Sequence, residues 1–145
     1  MNKTIPLKAG FYLGDGTKCE FADSKQISSS KYKLQHDLYY RSKDGRVFVV
    51  KKGFVHDGAS KGFLKRFGKY TNAAILHDAL YASELLSRKE ADKLFLEAME
   101  VSDVHYLRRH TYYYAVRMFG GLVWKNHKKC EIRKAKRYIL QIEEK

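Results

Sequence analysis

Cysteine is scarce in this sequence: Cys19 and Cys130 are the two present in 145 residues. They lie far apart, one in a region that we predict to be β-structure and one in a basic segment near the C-terminus. Two such cysteines build neither a disulfide framework nor a Cys-x-x-Cys metal site, and this usage is typical of a reducing compartment. The sequence therefore argues against a small disulfide-stapled fold.

Long apolar runs are missing as well. Residues 1–10 contain no apolar core of the length that a signal peptide needs, and no segment approaches the apolar length of a membrane span. We therefore expect no transmembrane segment, no secretion by a signal peptide, and a cytosolic location where the protein is made.

Acidic residues are few relative to basic ones. The 16 Asp and Glu stand against 29 Lys and Arg, which gives a net charge of +13 and a pI near 9.7. A field of this sign favours polyanions such as nucleic acid, an anionic membrane surface or an acidic protein, without choosing among them. The 44% hydrophobic and 14% aromatic content predicts a folded globule, and the length is that of one domain over residues 1–145.

The spacing of apolar residues predicts an α+β protein. Short alternating segments and turn residues fill the first sixty positions, and an Asp44-Gly45 turn before Val47-Phe48-Val49-Val50 predicts a β-hairpin. From residue 70 onward the apolar spacing is helical. We predict an N-terminal antiparallel sheet, mainly over residues 1–60, packed on a C-terminal bundle of about four helices over residues 70–145.

The helix boundaries follow from capping residues and apolar spacing. Thr71 or Asn72 can cap the first helix, and Ser87 with Glu90 forms a capping box before the second. The third and fourth helices are predicted over residues 104–124 and 127–143. The residues expected on one side of the third helix are Leu107, Thr111, Tyr114, Ala115, Met118 and Leu122. Those expected to face inward on the fourth are Ile132, Ala135, Ile139 and Ile142.

His77 and Asp78 interrupt the otherwise apolar segment at residues 70–81. Burying either side chain without a partner costs a few kcal/mol, so each must have a hydrogen-bond partner or a functional role. Tyr81 lies one turn after His77 on the same helix face, so an imidazole, a carboxylate and a phenol are offered together. Two interpretations stay open: a functional site, or a buried histidine bonded to a backbone carbonyl with Asp78 directed to water.

An ordered series of motifs resembles a known family. The motifs are Gly53-Phe54-Val55-His56-Asp57-Gly58-Ala59-Ser60, Gly68-Lys69-Tyr70, Ala73-Ala74-Ile75-Leu76-His77-Asp78, Leu80-Tyr81, Ser87-Arg88, Ala91-Asp92, Ala115-Val116-Arg117, Phe119-Gly120 and Trp124. Over about residues 53–124 the sequence resembles the domain-of-unknown-function family 1353, which is found widely in bacteriophages and prophages. The resemblance implies a phage or prophage protein, located in the host cytoplasm or the virion, and implies no activity.

A shorter segment, His77-Asp78-Ala79-Leu80-Tyr81, is similar to the His-Asp-x-x-Tyr helix of phospholipase A2 enzymes. That similarity implies ester hydrolysis in which the histidine is the general base that draws a proton from water. It also implies that Asp78 helps to hold Ca²⁺, which polarises the ester carbonyl.

Further candidates complete this hypothetical hydrolase site. Calcium takes several oxygen ligands, commonly including backbone carbonyls of a Gly-containing loop, so Asp57 and Gly58 are candidate ligands. Asp92, on the second helix, is the candidate acceptor that fixes the tautomer of His77. Tyr81 is a further bonding partner. Asp92 also has a structural interpretation, as a first-turn acid that favours the helix dipole.

Basic residues concentrate near the C-terminus and suggest a binding function instead. Between positions 105 and 137 ten basic residues are opposed only by Glu131. Such a density can neutralise nucleic-acid phosphates or anionic lipid headgroups. The alternative function is therefore a non-enzymatic phage factor for host takeover, anti-defence or virion assembly, binding nucleic acid or a phage or host protein. The candidate cations are Arg108, Arg109, Arg117, Lys125, Lys128, Lys129, Arg133, Lys134, Lys136 and Arg137.

Overall fold

Strands from the N-terminal part of the chain, joined by one strand that follows the helices, form two antiparallel sheets in the computed structural model, which describes residues 5–56 and 69–142. The strands are β1 (Gly10–Tyr12), β2 (Ser24–Gln26), β3 (Tyr32–Leu34), β4 (Leu38–Arg41), β5 (Val47–Val50), β6 (Val55–His56) and β7 (Ile139–Ile142). One sheet has the order β1-β4-β5-β7 and the other the order β2-β3-β6. The predicted hairpin is confirmed, since β4 and β5 pair antiparallel on either side of the turn at Asp44-Gly45.

Helices follow the sheets in the second half of the chain, which confirms the predicted α+β class. They are α1 (Thr71–Ser83), α2 (Arg88–Val101), α3 (Tyr106–Lys125) and α4 (Lys129–Ala135). None of these helices, within the described residues, is long and apolar enough to cross a membrane. Of the predicted capping box at the start of α2, one bond is confirmed: Ser87 is the N-cap and its hydroxyl accepts a hydrogen bond from the backbone N–H of Glu90.

The start of α1 differs from the prediction. Tyr70 is the N-cap and its side chain makes no capping hydrogen bond, whereas Thr71 and Asn72 are buried inside the helix. The amide of Asn72 instead accepts a bond from the N–H of Ala22 at 2.8 Å and donates to the carbonyl oxygen of Cys19 at 3.0 Å. A long-range bond to the N-terminal segment therefore replaces the local cap.

α1 is the helix on which the core is built. Eleven of its thirteen residues are buried. It packs against α2 and α4 and also contacts β5, β6 and β7, while α2 in turn packs against α3. A helix surrounded on most sides must be apolar nearly all round, so every polar side chain in it needs a partner inside the protein.

The predicted fourth helix is wrong in its second half. α4 ends at Ala135, and Ile139–Ile142 form β7, whose residue Ile139 pairs with Val50 of β5. The apolar spacing of Ile132, Ala135, Ile139 and Ile142 fits a helix. A β-branched segment beside the open edge of β5 can gain a ladder of backbone hydrogen bonds, and that tertiary pairing outweighs the helical pattern.

Candidate functional site

Asp92 lies at the centre of a buried polar cluster that joins three helices. Its side chain is completely buried on α2. Oδ1 accepts hydrogen bonds from Nε2 of His77 at 2.8 Å and from the hydroxyl of Tyr81 at 2.6 Å, both on α1. Oδ2 accepts a bond from Nη1 of Arg117, on α3, at 2.7 Å. We call His77, Tyr81, Asp92 and Arg117 the polar cluster.

The surroundings decide the charge state of Asp92. Burial alone would raise the pKa of this carboxyl, but hydrogen bonds from His77, Tyr81 and Arg117 outweigh burial and hold the pKa below its usual range. Asp92 is therefore ionised at neutral pH, and the adjacent guanidinium of Arg117 balances its charge. The pairing lets a carboxylate stay charged at zero exposure.

His77 is neutral at the same pH. Burial lowers the pKa of the imidazole, and the opposing influence of Asp92 is the smaller of the two. An ionised carboxylate can only accept hydrogen bonds, so Nε2 of His77 must carry the proton that it donates to Asp92. The lone pair is then on Nδ1, which none of the hydrogen bonds among the described residues engages. His77 is thus held as a base with one defined basic nitrogen.

Aromatic rings fix the plane of the imidazole. Phe95 stacks on His77 with ring centroids 4.5 Å apart, and Tyr81 lies tilted at 4.2 Å. Trp124 meets the ring of Tyr81 edge-on at 5.3 Å. With these neighbours the side chain of His77 keeps 8% exposure. Burial and the bond to Asp92 also raise the pKa of Tyr81, which keeps its hydroxyl protonated and donating.

The chain matches a family model over a region that includes α1 and α2. The family model described as "Protein of unknown function (DUF1353)" matches residues 32–116, which is more than half of the chain. This chain belongs to the DUF1353 family. The match confirms the resemblance seen in the motifs, begins earlier than they do and ends one residue before Arg117. No curated protein and no solved structure matched the chain.

The predicted residues of this DUF1353 protein divide into two groups. The predicted bond between His77 and Asp92 is present, and the hydroxyl of Tyr81 donates to the same carboxylate, whereas the catalytic roles of these residues stay predictions. Asp78 is described and half-buried, next to His77 on α1. Asp57 and Gly58, the other candidate calcium ligands, lie outside the described residues. Within residues 5–56 and 69–142, no group of three or more His, Cys, Asp or Glu side chains is positioned to hold a metal ion.

The sequence prediction did not assign Arg117 or Gly120 to the site, although both contribute to the polar cluster. Arg117 was assigned to the polyanion-binding set, but its side chain is 30% exposed and paired with Asp92. It lies three residues before the buried Gly120, so the two occupy neighbouring positions on one side of α3, a spacing that can reveal an inward arginine. A Cβ at Gly120 would lie 2.5 Å from the hydroxyl oxygen of Tyr81, so glycine leaves room for the cluster.

The remaining cations separate into bound and exposed groups. Arg109 is half-buried and donates from Nη1 to the carbonyl oxygen of Val104 at 3.2 Å. Eight of the ten predicted cations are exposed, so they are available to a polyanion. These are Arg108, Lys125, Lys128, Lys129, Arg133, Lys134, Lys136 and Arg137.

Two further His-Asp dipeptides occur in the sequence, His36-Asp37 and His56-Asp57, and their described residues have structural contacts of their own. His36 and Asp37 lie in the loop between β3 and β4, where Nε2 of His36 accepts a bond from the N–H of Asp23. Asp37 accepts a bond from the N–H of Lys52 at 2.8 Å. His56 is buried on β6 and lies 2.9 Å from the hydroxyl of Ser24. These contacts give each described residue a role in holding loops and strands together.

Proposed function

We propose that the polar cluster is a general-base site for ester hydrolysis, in which Nδ1 of His77 takes a proton from water as the water attacks the ester. The observation that supports this role most directly is the bond from Nε2–H of His77 to the ionised, fully buried Asp92. That bond fixes the tautomer, and the lowered pKa keeps the base unprotonated at neutral pH. Proton transfer of this kind contributes roughly 10²–10⁴-fold to a rate.

Asp92 is a positioning residue in this mechanism. When His77 takes the proton it becomes a buried imidazolium, and the carboxylate 2.8 Å away stabilises the new positive charge. As the bond between the acyl carbon and the alcohol oxygen breaks, the imidazolium returns that proton to the leaving alkoxide and His77 is neutral again. Tyr81 and Arg117 also donate to that carboxylate, which keeps it ionised before the reaction. The four side chains thus prepare one base without needing to move.

Calcium is the cofactor that the phospholipase-like helix implies. Asp78 adjoins the base on α1 and carries a carboxylate, the ligand type that Ca²⁺ prefers, and Asp57 and Gly58 are the proposed additional ligands. When bound, the ion would polarise the ester carbonyl and stabilise the oxyanion. Asp92 is unsuited to this role because its two oxygens already accept three hydrogen bonds.

The test compares His77→Gln with His36→Gln on a short-chain p-nitrophenyl ester and on phospholipid vesicles, with calcium and with a chelator. Glutamine keeps an N–H that can reach Asp92, so the fold should survive, whereas the basic nitrogen is lost. We expect a fall in turnover of about a hundredfold or more for His77→Gln and none for His36→Gln. Absence of turnover by the wild-type protein on both ester classes would reject the hydrolase.

Asp92→Asn provides a second readout on the same substrates. Removing the carboxylate charge lowers the pKa of His77 further, so the acid limb of the pH–rate profile should move to lower pH while kcat falls. A purely structural role for Asp92 would reduce the amount of folded protein without moving the pH profile of the protein that remains.

A non-enzymatic polyanion-binding role is the second candidate, and the eight exposed cations favour it. A phage factor of this kind would bind nucleic acid through phosphate contacts, and its affinity would fall steeply with added salt. Arg133→Gln with Lys134→Gln would weaken DNA binding and reduce the salt slope, and His77→Gln would leave both unchanged. DNA binding that is independent of salt and of these cations would exclude this candidate.

A further inference from the structure

α3 carries an apolar face on the side turned away from the core. Leu107, Tyr114, Met118 and Leu122 are 68%, 59%, 74% and 69% exposed. Their spacing places them on one stripe along the helix, on the side away from the buried Gly120. The sequence pattern correctly places these residues on one side, and the structure leaves that side to solvent. We call these four residues the exposed apolar face.

Polar groups contribute little to this face. Thr111 lies between its residues, but its hydroxyl donates to the carbonyl oxygen of Leu107 in its own helix at 2.7 Å. No carboxylate occurs between residues 104 and 130. From Leu107 to Leu122 the stripe runs for about 22 Å at 1.5 Å per residue. Monomeric proteins rarely leave a continuous apolar stripe of this length in water without a use for it.

Exposed cations stand beside the apolar stripe. Arg108 adjoins its start and Lys125 lies just beyond its end. Tyr114 adds an aromatic ring with a polar tip, a residue type enriched where an apolar phase meets water. An apolar stripe bordered by cations on a convex helix is the pattern of helices that lie in a membrane interface.

We propose that α3 docks in the surface of an anionic lipid membrane. The exposed apolar face enters the boundary between headgroups and acyl chains, and Arg108 and Lys125 meet lipid phosphates. The helix lies along the surface and does not cross it, in keeping with the finding that no described helix can span a bilayer. This docking does not depend on the hydrolase proposal, although a membrane would deliver ester substrates to the same protein.

Charge and chemistry favour lipid over other occupants. A second copy of the chain would bring together two α3 helices that contain no carboxylate, in a protein of net charge +13, so like charges would oppose that contact. Nucleic acid is bound through phosphate contacts and base stacking, which Leu107, Met118 and Leu122 cannot supply. An anionic membrane offers both an apolar phase and negative charge.

The experiment measures binding to vesicles of phosphatidylglycerol and phosphatidylcholine by co-sedimentation. Met118→Ser with Leu122→Ser removes apolar surface without changing charge, and its control is Leu7→Ser, whose residue is 84% exposed on another segment. We expect the double variant to lose about tenfold or more in vesicle affinity and Leu7→Ser to lose none. Circular dichroism confirms that each variant is folded.

Two further comparisons separate docking from general attraction of charge. Arg108→Gln with Lys125→Gln removes the same charge as Arg133→Gln with Lys134→Gln, and the first pair should weaken vesicle binding more. His77→Gln should bind vesicles like the wild type, which separates this test from that of the hydrolase. The proposal would be overturned if the wild-type protein did not bind anionic vesicles, or if it dimerised through Met118 and Leu122 instead. Equal loss by the Ser double variant and its control would do the same.

Discussion

Gly120 lies against Tyr81 so closely that a Cβ at position 120 would sit 2.5 Å from the tyrosine hydroxyl oxygen. Movement of Tyr81 away from Gly120 would strain its 2.6 Å bond to Asp92. The backbone of α3 is thereby matched to the polar cluster on α1 and α2, and the smallest side chain in the helix has a packing reason for its presence.

Gly120→Ala should therefore destabilise the protein. Alanine inside a helix is usually better than glycine by about 1 kcal/mol, but here the added methyl pushes Tyr81 away from Asp92. Chemical denaturation should show a lower free energy of unfolding. Gly121→Ala is the matched control, because a Cβ there would meet Arg88 at an ordinary 3.7 Å. A stabilised Gly120→Ala protein would show that Tyr81 yields without cost.

Asp92→Asn should be among the more damaging single substitutions in α2. It leaves Arg117 without its anion and gives His77 a weaker acceptor. Breaking a buried pair in this way costs about 3–5 kcal/mol, and we expect the lower end because Arg117 keeps 30% exposure. Denaturant titration of the variant measures the loss. The comparison is Glu100→Gln, which breaks the exposed pair with Lys43 and should cost about 0–1 kcal/mol.

Acid should weaken the fold through His77. Its pKa is lowered below the ordinary value of 6.5 in the folded protein, so the unfolded chain binds the proton more readily. Stability contributed by the neutral imidazole is complete above pH 6.5 and is lost as pH falls below that value toward the folded pKa. His77→Gln should flatten this part of the pH–stability curve. Identical slopes for the two proteins between neutral and mildly acidic pH would contradict the lowered pKa.

Calcium should stabilise the wild-type protein if Asp78 helps to hold it. A ligand that binds only the folded state adds about 2.7 kcal/mol at a hundred times its Kd, which appears as a higher Tm. Calorimetry and thermal denaturation should show this effect in the wild type and lose it in Asp78→Asn. Asp103→Asn, on an exposed turn with a left-handed backbone that asparagine tolerates, is the matched control. No calcium effect in any of the three proteins would remove the metal from the mechanism.

The predictable part of the site came from helix periodicity. His77 and Asp92 had to face a common interior because each sits among apolar residues at helical spacing, and their bond followed once α1 packed on α2. Arg117 was harder to assign, since an arginine in a basic segment resembles a solvent-exposed one. Its true role depends on how α3 is rotated about its axis, which tertiary packing decides.

Local patterns also failed where long-range pairing decided the outcome. Asn72 is a good capping residue by type, yet its amide is used by the segment around Cys19 and Ala22. The residues that form β7 are equally compatible with a helix face and a short strand. Pairing with the free edge of β5 decides in favour of the strand. A local sequence pattern cannot show this pairing, because the two strands are far apart in the sequence.

The pairing of β5 with β7 also limits how early the four-stranded sheet can fold during synthesis. Val47 pairs with Ile142, so the four-stranded sheet stays open until Ile139–Ile142 has emerged from the ribosome. In a nascent chain that has already folded α1 and α2, the edge of β5 is therefore unpaired and exposed, and strands of other chains can pair with it. We expect chaperone binding and premature self-association to occur mainly before β7 pairs with β5, and to stop once that pairing has formed.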